Sequence, residues 1–180
     1  MSTRRVRLSV AMSLDGFIAG PNGEYDWIPM DPEIDFAELF REFDTILMGR
    51  KSYELARRDG HLGAQGLRTL VFSSSLDPAE HPEVTIVRDP AETVRRLRAE
   101  PGKDLWLWGG GELFRSFLER RLVDEIEIAV VPILLGSGLP LLPGGALRTP
   151  LVLRSHRLFR ATGTVLYRYA VEGAALGSTP

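Results

Sequence analysis

The stretch DLWLWGGGELFRSFL, Asp104 to Leu118, limits what this chain can fold into more than any other. Five residues with the apolar density of a buried strand run into Gly109-Gly110-Gly111. A helical pattern starts at once, with Leu113, Phe114, Phe117 and Leu118 on one face. Each glycine costs backbone entropy on folding. Three in a strand-to-helix turn serve either tight strand–helix packing or close approach of the main chain to a ligand. The second use has a physical basis: a helix start offers unpaired N–H groups and a positive dipole end, and phosphate binds there when no side chain blocks it.

Strands and helices alternate around this junction. VRLSVAMS reads as a strand entering a core, and LDGFIAGPNGEYDW as a loop rich in Gly, Asp, Asn and Pro. DPEIDFAELFREFD predicts a helix with Pro32 near its first turn and Ile34, Phe36, Leu39, Phe40 and Phe43 as the buried stripe. TILMG is a short strand, followed directly by a helix from RKSYELAR. TLVFSSS and VTIVRD are further strands, and PAETVRRLRAE is a helix with Asp89 as N-cap and Pro90 in first position. After the glycine stretch come an alternating strand, VDEIEIAVV, and a Gly/Pro-rich loop, PILLGSGLPLLPGG. LVLRSHRLFRATGTVLYRYAVE then predicts two strands joined near Thr162-Gly163. This order predicts a single α/β domain over residues 1–173, with a mixed, mainly parallel central sheet, flanking helices and a C-terminal antiparallel hairpin. Residues 174–180 are expected to form a frayed tail.

Composition narrows the function. A chain of 180 residues suits one domain with a full core, and a net charge of −2 offers no electrostatic case for nucleic acid or a membrane surface. There is no cysteine, which excludes disulfides, thiol nucleophiles and cysteine metal sites. His61, His81 and His156 lack metal-ligand spacing, so no metal site is expected. No apolar run approaches a membrane span, and a cytoplasmic location is the expectation.

Three more strand ends share the character of the glycine stretch. TILMGRKSYE puts Gly49 at a strand-to-helix turn, followed by Arg50, Lys51 and Ser52. TLVFSSS ends on Ser73, Ser74 and Ser75, and VTIVRD carries Arg88. In a parallel sheet all four ends lie on one edge, where ligands collect. Two glycine turns with cationic and hydroxyl side chains make a dinucleotide pocket suited to the 2′-phosphate of NADP.

With these junctions in place the sequence resembles the dihydrofolate reductase-like superfamily. More closely, it resembles the branch holding the reductase domain of the bifunctional riboflavin-biosynthesis deaminase–reductase and its free-standing relatives. AMSLDGFIAGPNGEYDW, ILMGRKSYE, LVFSSSL, LWGGGELFRSFL and LVDEIEIAVVPILLGSG carry the likeness, in the family's order. The resemblance implies a sheet of about eight strands, NADPH as hydride donor and a homodimer. It implies Ala11 and Ile18 beside the nicotinamide, with Asn22 in the loop closing over it. Gly49, Arg50, Lys51 and Ser52 would hold phosphates, and Ser73, Ser74 and Arg88 the adenosine end. Gly109, Gly110 and Gly111, with Glu112 and Leu113, would wrap the pyrophosphate, and a cis peptide would join the first two glycines. Folate-reducing members carry Pro-Trp where this chain has Asp26-Trp27, and Ser13-Leu14-Asp15-Gly16 favours the riboflavin-type branch.

The expected activity is an NADPH-dependent reductase transferring hydride to a small pterin-, pyrimidine- or riboflavin-precursor-like heterocycle, or to a carbonyl compound. The alternative is a non-catalytic NADP(H)-binding module on the same fold. Reducing C=N or C=O requires a proton, and Asp15, Glu33 and Asp35 are the candidate acids for contacting substrate or relaying it. Tyr25 and Trp27 are candidate walls of the substrate site, while Tyr53 and Trp108 read as structural.

Overall fold

The computed structural model describes residues 4–62 and 66–173, so the C-terminal tail lies outside the described residues. In chain order the elements are β1 (Val6–Ser13), β2 (Phe17–Ala19), α1 (Phe36–Arg41), β3 (Phe43–Gly49), α2 (Arg50–Arg58), β4 (Arg68–Phe72), a 3-10 turn (Pro78–Glu80), β5 (Thr85–Val87), α3 (Pro90–Ala99), β6 (Asp104–Gly109), α4 (Gly111–Glu119), β7 (Glu125–Val131), β8 (Leu139–Pro140), β9 (Leu151–Phe159) and β10 (Thr164–Val171). One eight-stranded sheet runs in the order β5-β4-β3-β6-β1-β7-β10-β9. The first six of these are parallel, and β10 and β9 add the antiparallel hairpin. The turn of that hairpin uses Gly163 at φ 71. The short β2 and β8, inside segments that read as loops, pair with each other.

Period-2 alternation sorts the side chains onto two faces. On one face Val6, Leu8, Leu47 and Leu105 pack against Val94 and Leu97 of α3 and Phe114 and Phe117 of α4. On the other, Ile46, Met48, Val71 and Trp106 meet Tyr53 of α2 and Phe40 of α1. The first face is closed by two helices of ten and nine residues. The second is covered by α2 and by an α1 of only six residues, and it stays partly open.

That short α1 departs from the sequence pattern, which predicts a helix already at Asp31. The Asp31 carboxylate instead accepts the Glu33 amide at 2.9 Å and Thr162 Oγ1 at 2.8 Å. Such side-chain bonds hold the chain in a turn and compete with helix formation. Asp35 then caps the real helix by accepting the Glu38 amide at 2.9 Å. Glu33 therefore precedes the helix rather than starting it. The apolar loop after β7 is also divided: Leu139 is 46% exposed, whereas Leu141 packs on the core beneath α4. Among the described residues no helix is long and apolar enough to cross a membrane.

Candidate functional site

The carboxyl ends of β3 and β6 lie side by side, Met48 pairing with Gly109. Each leads into a nine-residue helix whose N-cap is a glycine, Gly49 for α2 and Gly110 for α4, and in neither does a side chain bond the first amides. The two bare ends converge. A Cβ built on Gly110 would lie 3.4 Å from Ser52 Oγ in the first turn of α2, and one on Gly49 would lie 4.0 Å from the Gly109 carbonyl oxygen. The three consecutive glycines answer three different needs. Gly109 sits at φ +129, where L side chains are strained, and a cis peptide joins it to Gly110. A Cβ on Gly111 would lie 2.6 Å from the Pro140 carbonyl oxygen, so this residue lets the loop after β8 pack down. Gly110 has only the Ser52 hydroxyl within reach of such a Cβ, and leaves its side of the turn open.

The next two strand ends bring Ser73, Ser74 and Arg88 together. Arg88 Nη1 donates to the carbonyl oxygens of Ser74 at 2.6 Å and Ser73 at 3.3 Å. The Ser73 hydroxyl itself is taken by the amides of Ser75 and Leu76, at 3.2 and 3.1 Å. Arg50 lies along α2 with Nη1 2.8 Å from Glu54 Oε1, and Lys51 and Glu112 are exposed. Leu113 is buried in the core. Asn22 sits in the loop after β2, where its amide and its side chain both donate to Glu24, at 2.8 and 2.7 Å.

From the glycine junction a cavity of about 570 Å³ opens along the half-covered face of the sheet. Gly110, Ser52, Ala11 and Ile18 line it, and Phe36, Leu39 and Phe40 of the α1 region wall it opposite the sheet. Trp106 and Trp108 also line it. Their rings stack with centroids 5.4 Å apart and planes 6° apart, and Phe40 stands 5.4 Å from Trp106. Trp106 Nε1 donates to the Ser9 carbonyl at 3.2 Å, which fixes the indole against the floor. Trp108, which reads as structural and packs against the core, also lines the cavity, because alternation places it on the same face as Trp106. Trp27, a candidate wall, instead donates to the Glu24 carbonyl at 3.1 Å.

The ionisable groups that line this cavity are not the three acids singled out from sequence. Asp15 accepts Ser13 Oγ at 2.6 Å and the amides of Leu135 and Gly136 at 3.1 and 2.7 Å, so it ties the loop after β1 to the loop after β7. Those bonds, the one from Ser13 first, hold its carboxyl below the usual range. Glu33 pairs with Arg157 at 3.1 Å, and Asp35 caps α1. The cavity holds Tyr25, Asp59, His61 and Glu127 instead. Tyr25, 41% exposed at the rim, donates to Asp59 Oδ2 at 3.0 Å and stands 3.2 Å from His61 Nε2. Its bond to Asp59 pushes the phenol pKa up.

Glu127 belongs to the floor and is 3% exposed. Its Oε2 accepts Arg168 Nε at 2.8 Å and lies 3.5 Å from Arg7 Nη2, while Oε1 has a single long bond from Ser9 Oγ at 3.4 Å. Arg7, 1% exposed, also pairs with Glu42 and lies 3.3 Å from Glu125. Burial opposes the Arg7 charge, but the bond to Glu42 and the charges of Glu125 and Glu127 outweigh it and raise its pKa. Sequence reasoning passed over Arg7, Ser9 and Glu127, although a signal was present. A parallel strand buried on both faces should be apolar almost throughout. VRLS and EIEIAVV place charges inside two such strands, which marks a polar patch on one face of the sheet.

A sheet of this order, with glycine junctions at its carboxyl edge, defines a dihydrofolate reductase-like domain. The family model described as RibD C-terminal domain matches residues 4–166, and the chain belongs to that family. It is 34% identical over 185 residues to the uncharacterized protein YyaP of Bacillus subtilis (strain 168), covering 96% of this chain and 98% of that one. Two crystal structures share the fold. A candidate riboflavin biosynthesis protein of Shewanella sp. PV-4 superposes with a TM-score of 0.81 at 24% identity, over 96% of this chain and 99% of that one. A diaminohydroxyphosphoribosylaminopyrimidine deaminase/5-amino-6-(5-phosphoribosylamino)uracil reductase of Thermotoga maritima superposes with a TM-score of 0.70 at 17% identity, over 94% of this chain and 57% of that one.

Proposed function

We propose that this protein is an NADPH-dependent reductase that reduces a small heterocyclic or carbonyl compound in the cavity beside Gly110. One observation carries the reading: two uncapped helix N-termini converge on Gly49 and Gly110 at the end of an aromatic cavity. Their free amides and positive dipole ends suit a pyrophosphate, and the open side of Gly110 lets it come close. Ser52 would add a hydroxyl donor there. Arg50, Lys51 and Arg88, with Ser73 and Ser74, are the groups that would meet the 2′-phosphate and adenosine. The exposed Arg50–Glu54 pair is no obstacle, because pairs of that kind contribute little. Ala11 and Ile18 offer small and apolar surface for the nicotinamide.

NADPH, when bound, supplies the hydride; the protein aligns the acceptor and handles the proton. Adding hydride to C=N or C=O leaves charge on the heteroatom, which must then be protonated. Within the cavity the Tyr25 hydroxyl, which rests on Asp59 and stands 3.2 Å from His61 Nε2, would turn from Asp59 to give its proton to the substrate heteroatom, and solvent at the rim would reprotonate it.

Trp106 and Trp108 make the test direct. NADPH titrated into the protein should quench their fluorescence, and it should bind about tenfold more tightly than NADH, the difference a charge-assisted contact to one phosphate provides. Folded protein that ignores millimolar NADPH would sink the reading. Tight binding without turnover across a broad heterocycle panel would favour a non-catalytic module. A second reading takes its substrate from the Thermotoga maritima relative, which is named for a phosphoribosylaminouracil. The same reaction here would need cations for that phosphate, and no arginine or lysine is among the described residues lining the cavity.

A further inference from the structure

Taking the cavity as the substrate site of such a reductase, we infer that its substrate is a planar compound without phosphate or carboxylate groups, held by an N–H or O–H donor on the Glu127 carboxylate. Among the described residues, the charged side chains that line the cavity include two carboxylates, Asp59, paired with Arg58 at 2.8 Å, and Glu127, and no arginine or lysine. The cations nearest the floor are already committed. Arg5, Arg7 and Arg168 face Glu42, Asp104, Glu125 and Glu127, three guanidinium groups against four carboxylates. An anionic substrate would shed its water in a largely apolar chamber without meeting an uncommitted cation among the described lining residues, which disfavours binding by about tenfold.

The same floor favours a donor. Glu127 Oε2 is occupied by Arg168, but among the described residues Oε1 has only the 3.4 Å bond from Ser9. A buried carboxylate oxygen with spare lone pairs is satisfied by an N–H or O–H arriving from the cavity. Trp108, half-buried and stacked parallel on Trp106, which is anchored through the Ser9 carbonyl, offers a flat aromatic wall to a flat ring. Ring stacking and one ionic hydrogen bond on the floor together describe a neutral, conjugated N-heterocycle.

Three matched probes test this on protein saturated with NADP⁺, with tryptophan fluorescence as the readout. Lumazine is neutral with ring N–H donors, 1,3-dimethyllumazine lacks those donors, and lumazine-6-carboxylate adds an anion. Lumazine should bind about tenfold more tightly than 1,3-dimethyllumazine, the worth of one charge-assisted hydrogen bond, and about tenfold more tightly than the carboxylate, which keeps the donors but adds the charge. Glu127→Gln should reduce lumazine affinity by about tenfold and leave NADP⁺ affinity unchanged. Because Glu127 sits in an ion-pair network, Ser9→Ala is the milder companion: it spares the ion pairs and removes the donor that competes for Oε1, so it should tighten lumazine by about threefold. The inference is overturned if the carboxylate binds as tightly as lumazine, if both substitutions leave lumazine affinity unchanged, or if lumazine fails to bind at millimolar concentration while NADP⁺ binds. Failure of NADP⁺ itself to bind would remove the reductase reading, and this one with it.

Discussion

Helices α1 and α3 begin on aspartate; α2 and α4 begin on glycine. Asp35 and Asp89 accept first-turn amides from Glu38 and Glu92, which answers the unpaired N–H groups every helix start carries. Gly49 and Gly110 leave the same groups unmet by any side chain. The glycine-started pair also follows two adjacent strands, β3 and β6, so the unmet amides gather in one place. The difference separates helix starts that only stabilise the fold from helix starts kept open for something else. A side-chain cap is worth only a few tenths of a kcal/mol over glycine, so what distinguishes the pair is less the lost stability than two bare helix starts side by side.

Substitutions that exchange the two kinds of helix start test this. The largest effect is expected from Gly49→Asp. Its backbone, φ −82 and ψ 164, already suits an aspartate cap, and the new Cβ would meet only Leu113 Cβ at 3.7 Å and the Gly109 oxygen at 4.0 Å. The free protein should gain a few tenths of a kcal/mol in thermal unfolding. NADPH affinity should fall by about a thousandfold, since a carboxylate would stand where the proposed site puts the pyrophosphate. Unchanged NADPH affinity in this variant would show that the helix ends are not the phosphate site. Asp89→Ala is the mirror experiment. It should cost about 1 kcal/mol, seen as a melting point lower by about 2–4 °C, with NADPH affinity unaltered.

The smallest effect concerns Asp15, a carboxylate spent on main-chain amides outside any helix. Its native pKa lies below the ordinary 3.8. A depressed carboxylate contributes stability above its unfolded value and loses it as pH falls through the native one. The loop tie to Leu135 and Gly136 should therefore hold at neutral pH and loosen only in acid, below the usual aspartate range. Asp15→Asn should speed hydrogen exchange at those two amides at neutral pH with little change in global melting. Equal protection in both proteins would show that the tie does not depend on the charge.

Much of the fold was legible because its signals are local. The glycine junctions, the Asp89-Pro90 helix start and the turn at Gly163 each rest on a few neighbouring residues. The start of α1 was not legible, because Asp31 is held by Thr162 on the far hairpin, a contact that no local pattern announces. The site divided the same way. The sequence placed Gly49, Ser52, Gly109 and Gly110 at one edge, and the structure brings them together around one junction. It also pointed to Asp15, Glu33 and Asp35, whose side chains turn to amides and Arg157. A loop's composition names its acids without saying where they face.

By itself, the sequence determined which strands feed which helices and where bare main chain would be exposed, since strand periodicity and glycine turns act over a few residues. Only the tertiary structure decided which face of the sheet would stay open and which ionisable groups would line it. A cavity is the space that packing leaves over. Its position follows from a six-residue α1 failing to cover the face that Trp106, Ser9 and Glu127 share, and that shortfall exists only once the strands lie side by side.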